Sequence, residues 1–135
     1  MSRKITGGAP SAGSPHAELL YYVFPILYRR KPDIECGSGW NMLIDCLSAA
    51  IEKHNMTTTR PIWAVQIKSK FGKLRFYVVG SSVPGRIERL INVAEDMSGN
   101  ICEKCGSGNA VTAGIRGWIW TMCPRCARAE KRRVE

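Results

Sequence analysis

Histidine and long apolar runs are what this 135-residue sequence has least of. Its two histidines, His16 and His54, each fall at an end of a predicted helix, where a solvated side chain is the ordinary explanation. No apolar stretch approaches the roughly 18 residues of a membrane span. A glycine-rich phosphate loop and a serine nucleophile elbow are also missing. These absences argue against histidine-based catalysis and against a membrane partner.

The N-terminus lacks a secretory signal in this interpretation. Residues 1–13 are small, polar and rich in glycine, so we expect a flexible arm there. Arg3 and Lys4 are not followed by an apolar segment. Because six cysteines occur without an export signal, we expect a reducing, cytoplasmic compartment.

Four of the cysteines form two closely spaced pairs near the C-terminus. Cys102 and Cys105 are followed, after a 17-residue spacer, by Cys123 and Cys126. Two such pairs at the ends of a hairpin present four thiolates to one tetrahedral ion, and zinc suits this ligand set best. The alternatives are two disulfides or two unrelated redox pairs. A closed site with four protein ligands has no position for a substrate, so we expect the zinc to be structural.

The apolar patterns predict an α+β fold, with a small antiparallel sheet packed by about three helices and a C-terminal zinc ribbon. The predicted units are an α+β body at 14–100 and a ribbon with a basic tail at 101–135. Ser14 and Pro15 begin a first helix that Pro25 ends or kinks. Ser38 caps a second helix that ends near His54 and Asn55.

A hairpin and a further helix follow. The predicted strands, at 62–68 and 74–78, are joined by a turn at 70–73. Alternation puts Trp63, Val65 and Ile67 on one face of the first strand and Lys68 on the other. On the second strand it turns Leu74, Phe76 and Val78 inward, and Arg75 and Tyr77 outward. The third helix buries a stripe of five residues, namely Ile87, Leu90, Ile91, Ala94 and Met97. The ribbon's own hairpin joins 112–115 to 118–121, and a short basic helix covers 127–133.

The charge is strongly positive. Twenty Lys and Arg face eleven Asp and Glu, a net charge of +9, which favours a polyanionic partner and nucleic acid first. Residues 60–75 contain no acid, 125–133 contain one, and Arg29, Arg30 and Lys31 form a third basic cluster. A merely solvated basic surface is the alternative. The predicted polyanion-binding residues are Lys68, Lys70, Lys73, Arg75, Tyr77, Arg125, Arg128, Lys131, Arg132 and Arg133.

Two other functions stay open. An inhibitor or adaptor that docks on a host protein would use aromatic anchors, for which the candidates are Tyr21, Tyr22, Phe24, Tyr28, Trp118 and Trp120. A sponge for a nucleotide signal would use the same basic sheet with a closed pocket. We expect no enzyme activity and no catalytic residues, because the acids are scattered, Cys36 lies beside acids that disfavour its thiolate, and Cys46 is expected in the core.

Several short motifs together resemble a family of small uncharacterised phage and prophage proteins. They are the run from Gln66 to Tyr77 (QIKSKFGKLRFY), CGSGW at 36–40, AEDMS at 94–98, CEKCG at 102–106 and WTMC at 120–123. The resemblance covers roughly residues 34–126, with Lys73 where the family pattern has glycine. It implies a phage origin and zinc binding. We therefore expect a phage-type zinc-ribbon protein that acts in a bacterial host, in host takeover or regulation, and the inhibitor alternative would act on a host defence or on the transcription machinery. The resemblance implies no enzymatic mechanism.

Overall fold

The protein has the predicted α+β fold. The structure, a computed structural model, describes residues 14–115 and 117–134, with side chains described up to Lys131. The predicted arm at 1–13 therefore lies outside the described residues. The elements are α1 (Pro15–Val23), β1 (Ile34–Glu35), α2 (Asn41–Asn55), β2 (Trp63–Lys70), β3 (Lys73–Val79), α3 (Gly85–Ser98), β4 (Val111–Ile115), β5 (Trp118–Met122) and α4 (Pro124–Val134). No helix in the described ranges is long and apolar enough to cross a membrane.

Both predicted helix ends of α1 are confirmed. The Ala17 amide donates to the Ser14 hydroxyl at 3.1 Å, and the helix stops at Val23, just before Pro25. The chain then turns around Glu52 of α2, whose carboxylate accepts the amides of Ile26 and Leu27. This buried carboxylate fixes the segment that leads into the first sheet.

Helix α2 begins later than predicted. A short 3-10 helix at Ser38–Trp40 precedes it, and the Ser38 side chain makes no capping hydrogen bond. The predicted end at Asn55 is confirmed, and Asn55 holds the start of β2 by exchanging hydrogen bonds with the backbone of Ile62. Cys46, expected in the core, is exposed instead, because it lies beside the buried stripe of Ile44, Leu47 and Ile51.

The main sheet has the strand order β1-β2-β3. Strands β2 and β3 are antiparallel as predicted, but β1 pairs with β2 in parallel, Ile34 opposite Ile67. A strand of two residues is too short to give a periodic signal in the sequence. The parallel pairing follows from topology, since helix α2 serves as the crossover between β1 and β2.

The turn between β2 and β3 occurs where the sequence predicts it. Phe71 and Gly72 both have positive φ, 54° and 80°, as a two-residue type I′ turn requires. This turn matches the right-handed twist of the flanking strands. It leaves the Phe71 ring 68% exposed at the tip.

A β-bulge changes the predicted face of the first half of β2. Ala64 pairs with Val78 but Gln66 pairs with Tyr77, so Val65 is the extra residue. Ala64 and Ile67 are therefore the buried residues, and Trp63 lies on the same face as Lys68. The prediction that Trp63 and Val65 share the face of Ile67 is wrong, because strict alternation fails at the bulge.

Helix α3 covers the free edge of β3. The amides of Leu74 and Phe76 donate to Ser98 Oγ at 2.9 Å and to Glu95 Oε2 at 3.0 Å. These contacts satisfy groups that an exposed edge strand would offer to another chain. Of the predicted stripe, Ile87, Ile91 and Ala94 are buried; Leu90 and Met97 are 42% and 47% exposed, because a narrower face of the helix meets the body.

The ribbon packs on the body. Strands β4 and β5 form an antiparallel hairpin, and α4 starts at Pro124, three residues before the predicted start. The Gly39 amide donates to the Glu103 carbonyl at 2.8 Å, and the Trp40 indole donates to the Ile101 carbonyl at 2.8 Å. The Thr121 hydroxyl donates to the Gly72 carbonyl, so the ribbon hairpin rests on the β2–β3 turn.

Candidate functional site

The four predicted metal ligands come together. The Sγ atoms of Cys102, Cys105, Cys123 and Cys126 all lie within 4.8 Å of one another, and none is in a disulfide. Cys105 Sγ and Cys123 Sγ are 3.7 Å apart. A tetrahedral zinc with bonds of about 2.3 Å would separate its sulfur ligands by about 3.8 Å. The donor set and its spacing are therefore compatible with a metal ion.

Backbone amides organise the two knuckles. The Gly106 amide donates to the Cys102 carbonyl at 2.8 Å, and the positive φ of Gly106, 85°, allows this turn. The amide of this glycine thus bonds a carbonyl oxygen and not a sulfur. The Cys126 amide points at Cys123 Sγ at 3.5 Å and lowers the pKa of the Cys123 thiol to about 6. A thiol with a lowered pKa suits a ligand that binds metal as the thiolate.

Glu103, which sequence reasoning missed, links the ribbon to the sheet. It is 2% exposed, and its carboxylate accepts the Gly37 amide at 3.1 Å and the Ser69 hydroxyl at 3.2 Å. Burial raises its pKa, although both hydrogen bonds act in the opposite direction. Its own amide donates to the Thr121 carbonyl at 2.9 Å. The signal in the sequence was an acid directly after a metal ligand, which alone says nothing about burial.

The sheet has one face turned away from the core, which we call the outer face. Register and burial assign to it the strand residues Glu35, Trp63, Gln66, Lys68, Lys70, Lys73, Arg75, Tyr77 and Val79. The predicted placement of Lys68, Arg75 and Tyr77 on one face is confirmed. Tyr77 is 39% exposed, so its ring is accessible beside these cations.

A second basic cluster joins the outer face through Trp63. The guanidinium carbons of Arg29 and Arg30 lie 4.8 Å and 5.3 Å from the Trp63 ring centroid, within cation–π range. The sequence separates these arginines from β2 by more than thirty residues. The bulge, by turning Trp63 outward, brings them to the same surface as Lys68.

Acids approach this surface in space although none lies within 60–75 in sequence. Arg75 and Glu95 are 3.8 Å apart, and so are Lys73 and Asp96. Such partly exposed pairs are worth about 0–1 kcal/mol and leave the lysine and arginine able to exchange partners. The acids of helix α3 therefore offset the positive charge of β3 more than that of β2.

A pocket of about 430 Å³ lies between the end of β2 and strand β5. Its lining combines residues from both units: Glu35, Lys68, Ser69, Lys70, Phe71, Glu103, Gly117, Trp118, Ile119 and Trp120. Glu35, Lys68 and Lys70 belong to the outer face, so the pocket opens onto that face. It joins two predicted sets, the basic strand and the ribbon tryptophans, which no local sequence pattern connects.

The residues predicted as aromatic anchors of a protein interface differ in how exposed they are. Tyr21 and Tyr28 are buried, with hydroxyls bonded to the Pro32 carbonyl and to Ser48, and Trp120 is buried in the ribbon. These three do not offer a free surface, because their rings fill the two cores. Phe24 is half-buried, whereas Tyr22 and Trp118 are 85% and 43% exposed.

The predicted basic residues of the tail lie on α4. Arg125, Arg128 and Lys131 are exposed, whereas the side chains of Arg132 and Arg133 lie outside the described residues. Glu130 of α4 lies 3.5 Å from Nζ of Lys104, which belongs to the first cysteine knuckle. This pair engages the acid of α4, and the lysine that it uses is not one of the predicted tail residues.

The remaining candidates for chemistry are dispersed. His16 lies 2.7 Å from Asp45, His54 lies 3.1 Å from Arg86, and Cys36 is buried, which raises the pKa of its thiol. Exposed Cys46 lines an apolar groove of about 590 Å³ between α2 and α3, together with Met42, Leu90, Val93 and Met97. This groove and the outer face lie on different sides of the sheet.

Comparisons with known proteins give no family assignment. No family model, no curated protein sequence and no solved structure matches the chain. The resemblance to small phage proteins stays a prediction.

Proposed function

We propose that this protein is a non-catalytic zinc-ribbon protein that binds single-stranded nucleic acid on the outer face of its sheet. The observation that carries the proposal is the meeting of three groups on one exposed surface: the stacked Arg29, Arg30 and Trp63, the strand residues Lys68, Lys70 and Tyr77, and the pocket wall Trp118. A cytoplasmic setting in a bacterial host belongs to the same proposal.

The chemistry of the surface favours unpaired strands. Cations neutralise phosphates, and aromatic faces stack with bases that are free of a duplex. Strand β2 rises about 3.3 Å per residue, so its outer residues extend over about 23 Å. That length accommodates a few nucleotides. Trp63 lies at the start of β2, Trp118 lies beyond its end, and the strand cations lie between the two tryptophans.

Zinc is the metal we propose for the four cysteines. Four thiolates in a tetrahedral arrangement suit zinc, and the set leaves no open position for chemistry. Cys102, Cys105, Cys123 and Cys126 would hold the ion, and the ion would fix β5. The proposed role of the metal is therefore to keep Trp118 against the end of β2.

Fluorescence anisotropy with labelled single-stranded DNA and RNA, measured over a salt series, tests the function. Each phosphate contact contributes about 0.7 to the salt slope on single strands. We expect K68Q/K70Q/K73Q to weaken binding and to lower the slope by about 2. The matched control K53Q/R86Q/R89Q removes the same charge from the helices and should change the slope little. A third variant, R125Q/R128Q/K131Q, measures the share of α4.

Two results would contradict the proposal. One is absence of binding to any single strand at about 50 mM salt, where phosphate-driven binding is strong. The other is equal weakening by the sheet and control variants, which would mean that net charge alone acts. Capture of one bacterial protein in a nuclease-treated pull-down, without oligonucleotide binding, would favour the inhibitor or adaptor alternative.

A further inference from the structure

We propose that the pocket between β2 and β5 takes one unstacked base and prefers guanine. The inference rests on the proposed function, because it assigns a base to a site at the end of the proposed strand path. The volume of about 430 Å³ suits a ligand of nucleotide size. Its position at the edge of the outer face lets a strand that runs along β2 place one base inside.

The tryptophans give the pocket a stacking wall. Trp118 and Trp120 both line it, their ring centroids are 6.3 Å apart and their planes make an angle of 57°. Trp120 is 6% exposed and held in the ribbon core, whereas Trp118 is 43% exposed. The buried ring therefore supports the exposed one, which offers its face to a base.

A carboxylate and an ammonium group lie side by side in the same pocket. Glu35 and Lys68 are register partners on β1 and β2, and both line the cavity. The other carboxylate, that of Glu103, already accepts from Gly37 and Ser69. Within the described residues no hydrogen bond or ion pair engages the Glu35 carboxylate, so it is the acceptor that a ligand meets.

Guanine matches this pair better than the other bases do. Its Watson–Crick edge presents the O6 acceptor beside the N1–H and N2–H donors. Lys68 can donate to O6 while the two Glu35 oxygens accept the two N–H groups, three hydrogen bonds in all. On the same edge adenine offers one N–H donor group and one acceptor, and cytosine and uracil each offer one N–H donor group and two acceptors, so only guanine has two adjacent N–H donor groups for the two Glu35 oxygens. The side-by-side placement of the Glu35 carboxylate and the Lys68 ammonium group therefore favours guanine.

The base can come from a strand or from a free guanine nucleotide, and the experiment separates these sources. The probes are labelled uridine oligonucleotides with one central guanine, adenine, cytosine or hypoxanthine, and free GMP as competitor. We expect guanine to be preferred over adenine by about tenfold, with hypoxanthine, which lacks the N2 amino group, in between. Lys70 also lines the pocket, and we expect its ammonium group to contact phosphate both in a strand and in a free nucleotide.

Two variants and three outcomes decide the question. Glu35→Gln should remove the guanine preference, and Glu88→Gln, which removes an exposed acid from α3, should keep it. Oligonucleotide binding with equal affinity for all four central bases would overturn the pocket assignment and leave the proposed function standing. Failure of every oligonucleotide would overturn the function itself. If GMP binds in a Glu35-dependent way while strands do not, the pocket assignment holds with a free nucleotide as its ligand.

Discussion

The body, residues 14–100, and the ribbon, residues 101–134, keep their shapes by different means. The body fully buries large side chains, among them Trp40, Tyr28 and Ile67, in one continuous core. The ribbon's buried cluster is small and includes two of the cysteines beside Ile115, Trp120 and Met122. So few buried side chains do not stabilise a fold alone, whereas a structural metal supplies folding free energy directly.

The junction between the two differs from both. It is held by polar groups, with Glu103 bonded to Gly37 and Ser69 and the Gly39 amide bonded to the Glu103 carbonyl. The candidate pocket has one wall on each side of this junction. The proposed ligand site therefore depends on apolar packing and on one buried carboxylate and, with the proposed zinc in place, on metal ligation as well.

Metal loss should separate the two regions most strongly. Structural zinc contributes about 10–16 kcal/mol in isolated fingers, so Cys105→Ser or a strong chelator should unfold the ribbon. The body should keep its helices, because its core contains none of the ligands. Elemental analysis for one zinc per chain, together with hydrogen exchange of β4 and β5, measures this. Cys46→Ser, which changes an exposed thiol outside the cluster, is the control. Disulfides among the four cysteines would refute the site.

Removal of the junction carboxylate should have the next largest effect. Glu103→Ala leaves the buried Gly37 amide and Ser69 hydroxyl without their acceptor, at a cost of about 2–4 kcal/mol in the free energy of unfolding. Urea denaturation monitored by tryptophan fluorescence gives the value. Glu88→Ala, at an exposed acid, should cost less than about 0.5 kcal/mol. Equal effects of the two substitutions would show that the junction is not held by Glu103.

A methyl group at the junction should have a smaller effect. A Cβ on Gly39 would collide with the Cys102 carbonyl oxygen, a backbone atom that the knuckle holds in place. We expect Gly39→Ala to destabilise the protein by about 1–3 kcal/mol, since such overpacking forces backbone shifts. Gly108→Ala is the matched control, because a Cβ there meets no atom within 4 Å. Melting temperatures of the two variants at equal zinc loading make the comparison, and similar values would contradict it.

The smallest expected effect is a loss of stability at alkaline pH, and it arises in the body. Burial raises the pKa of Tyr28 above its usual 10.0, so the folded state keeps this proton to higher pH than the unfolded state does. The stability that results is complete below pH 10 and falls as pH rises beyond it. Tyr28→Phe should flatten this part of the stability profile, and Tyr22→Phe, at an exposed ring, should not. Urea midpoints between pH 9 and 11 test the expectation.

The sequence predicts the parts of this molecule that have a local or periodic signal. The Ser14 cap, the 70–73 turn, the end of α2 and the four-cysteine cluster each depend on residues close in the chain or on a known ligand spacing. Strand β1 has two residues and therefore no period. The exposed position of Cys46 and the burial of Glu103 depend on how elements dock, which no short pattern contains.

The candidate site was predictable in its residues but not in its assembly. Lys68, Arg75 and Tyr77 are correctly assigned to one face, because strict alternation holds after the bulge. Arg29 and Arg30 join them through Trp63, a long-range contact. Trp118 joins through the junction at Glu103. Both connections are tertiary contacts. The composition therefore indicated a basic surface with aromatic residues, but it did not indicate which residues meet there.

The bulge at Val65 decides which face of the sheet is occupied by each residue of β2 on its N-terminal side. If Val65 were paired in the ladder as an ordinary strand residue, every side chain of the strand on its N-terminal side would change face, and Ile67 and Lys68 would stay as they are. Trp63 would then turn into the core and Ala64 outward, with no residue type exchanged. The chemical character of one end of the sheet thus depends on whether a single residue is accommodated as a bulge or within the ladder, and this difference gives the outer face its aromatic stack or removes it.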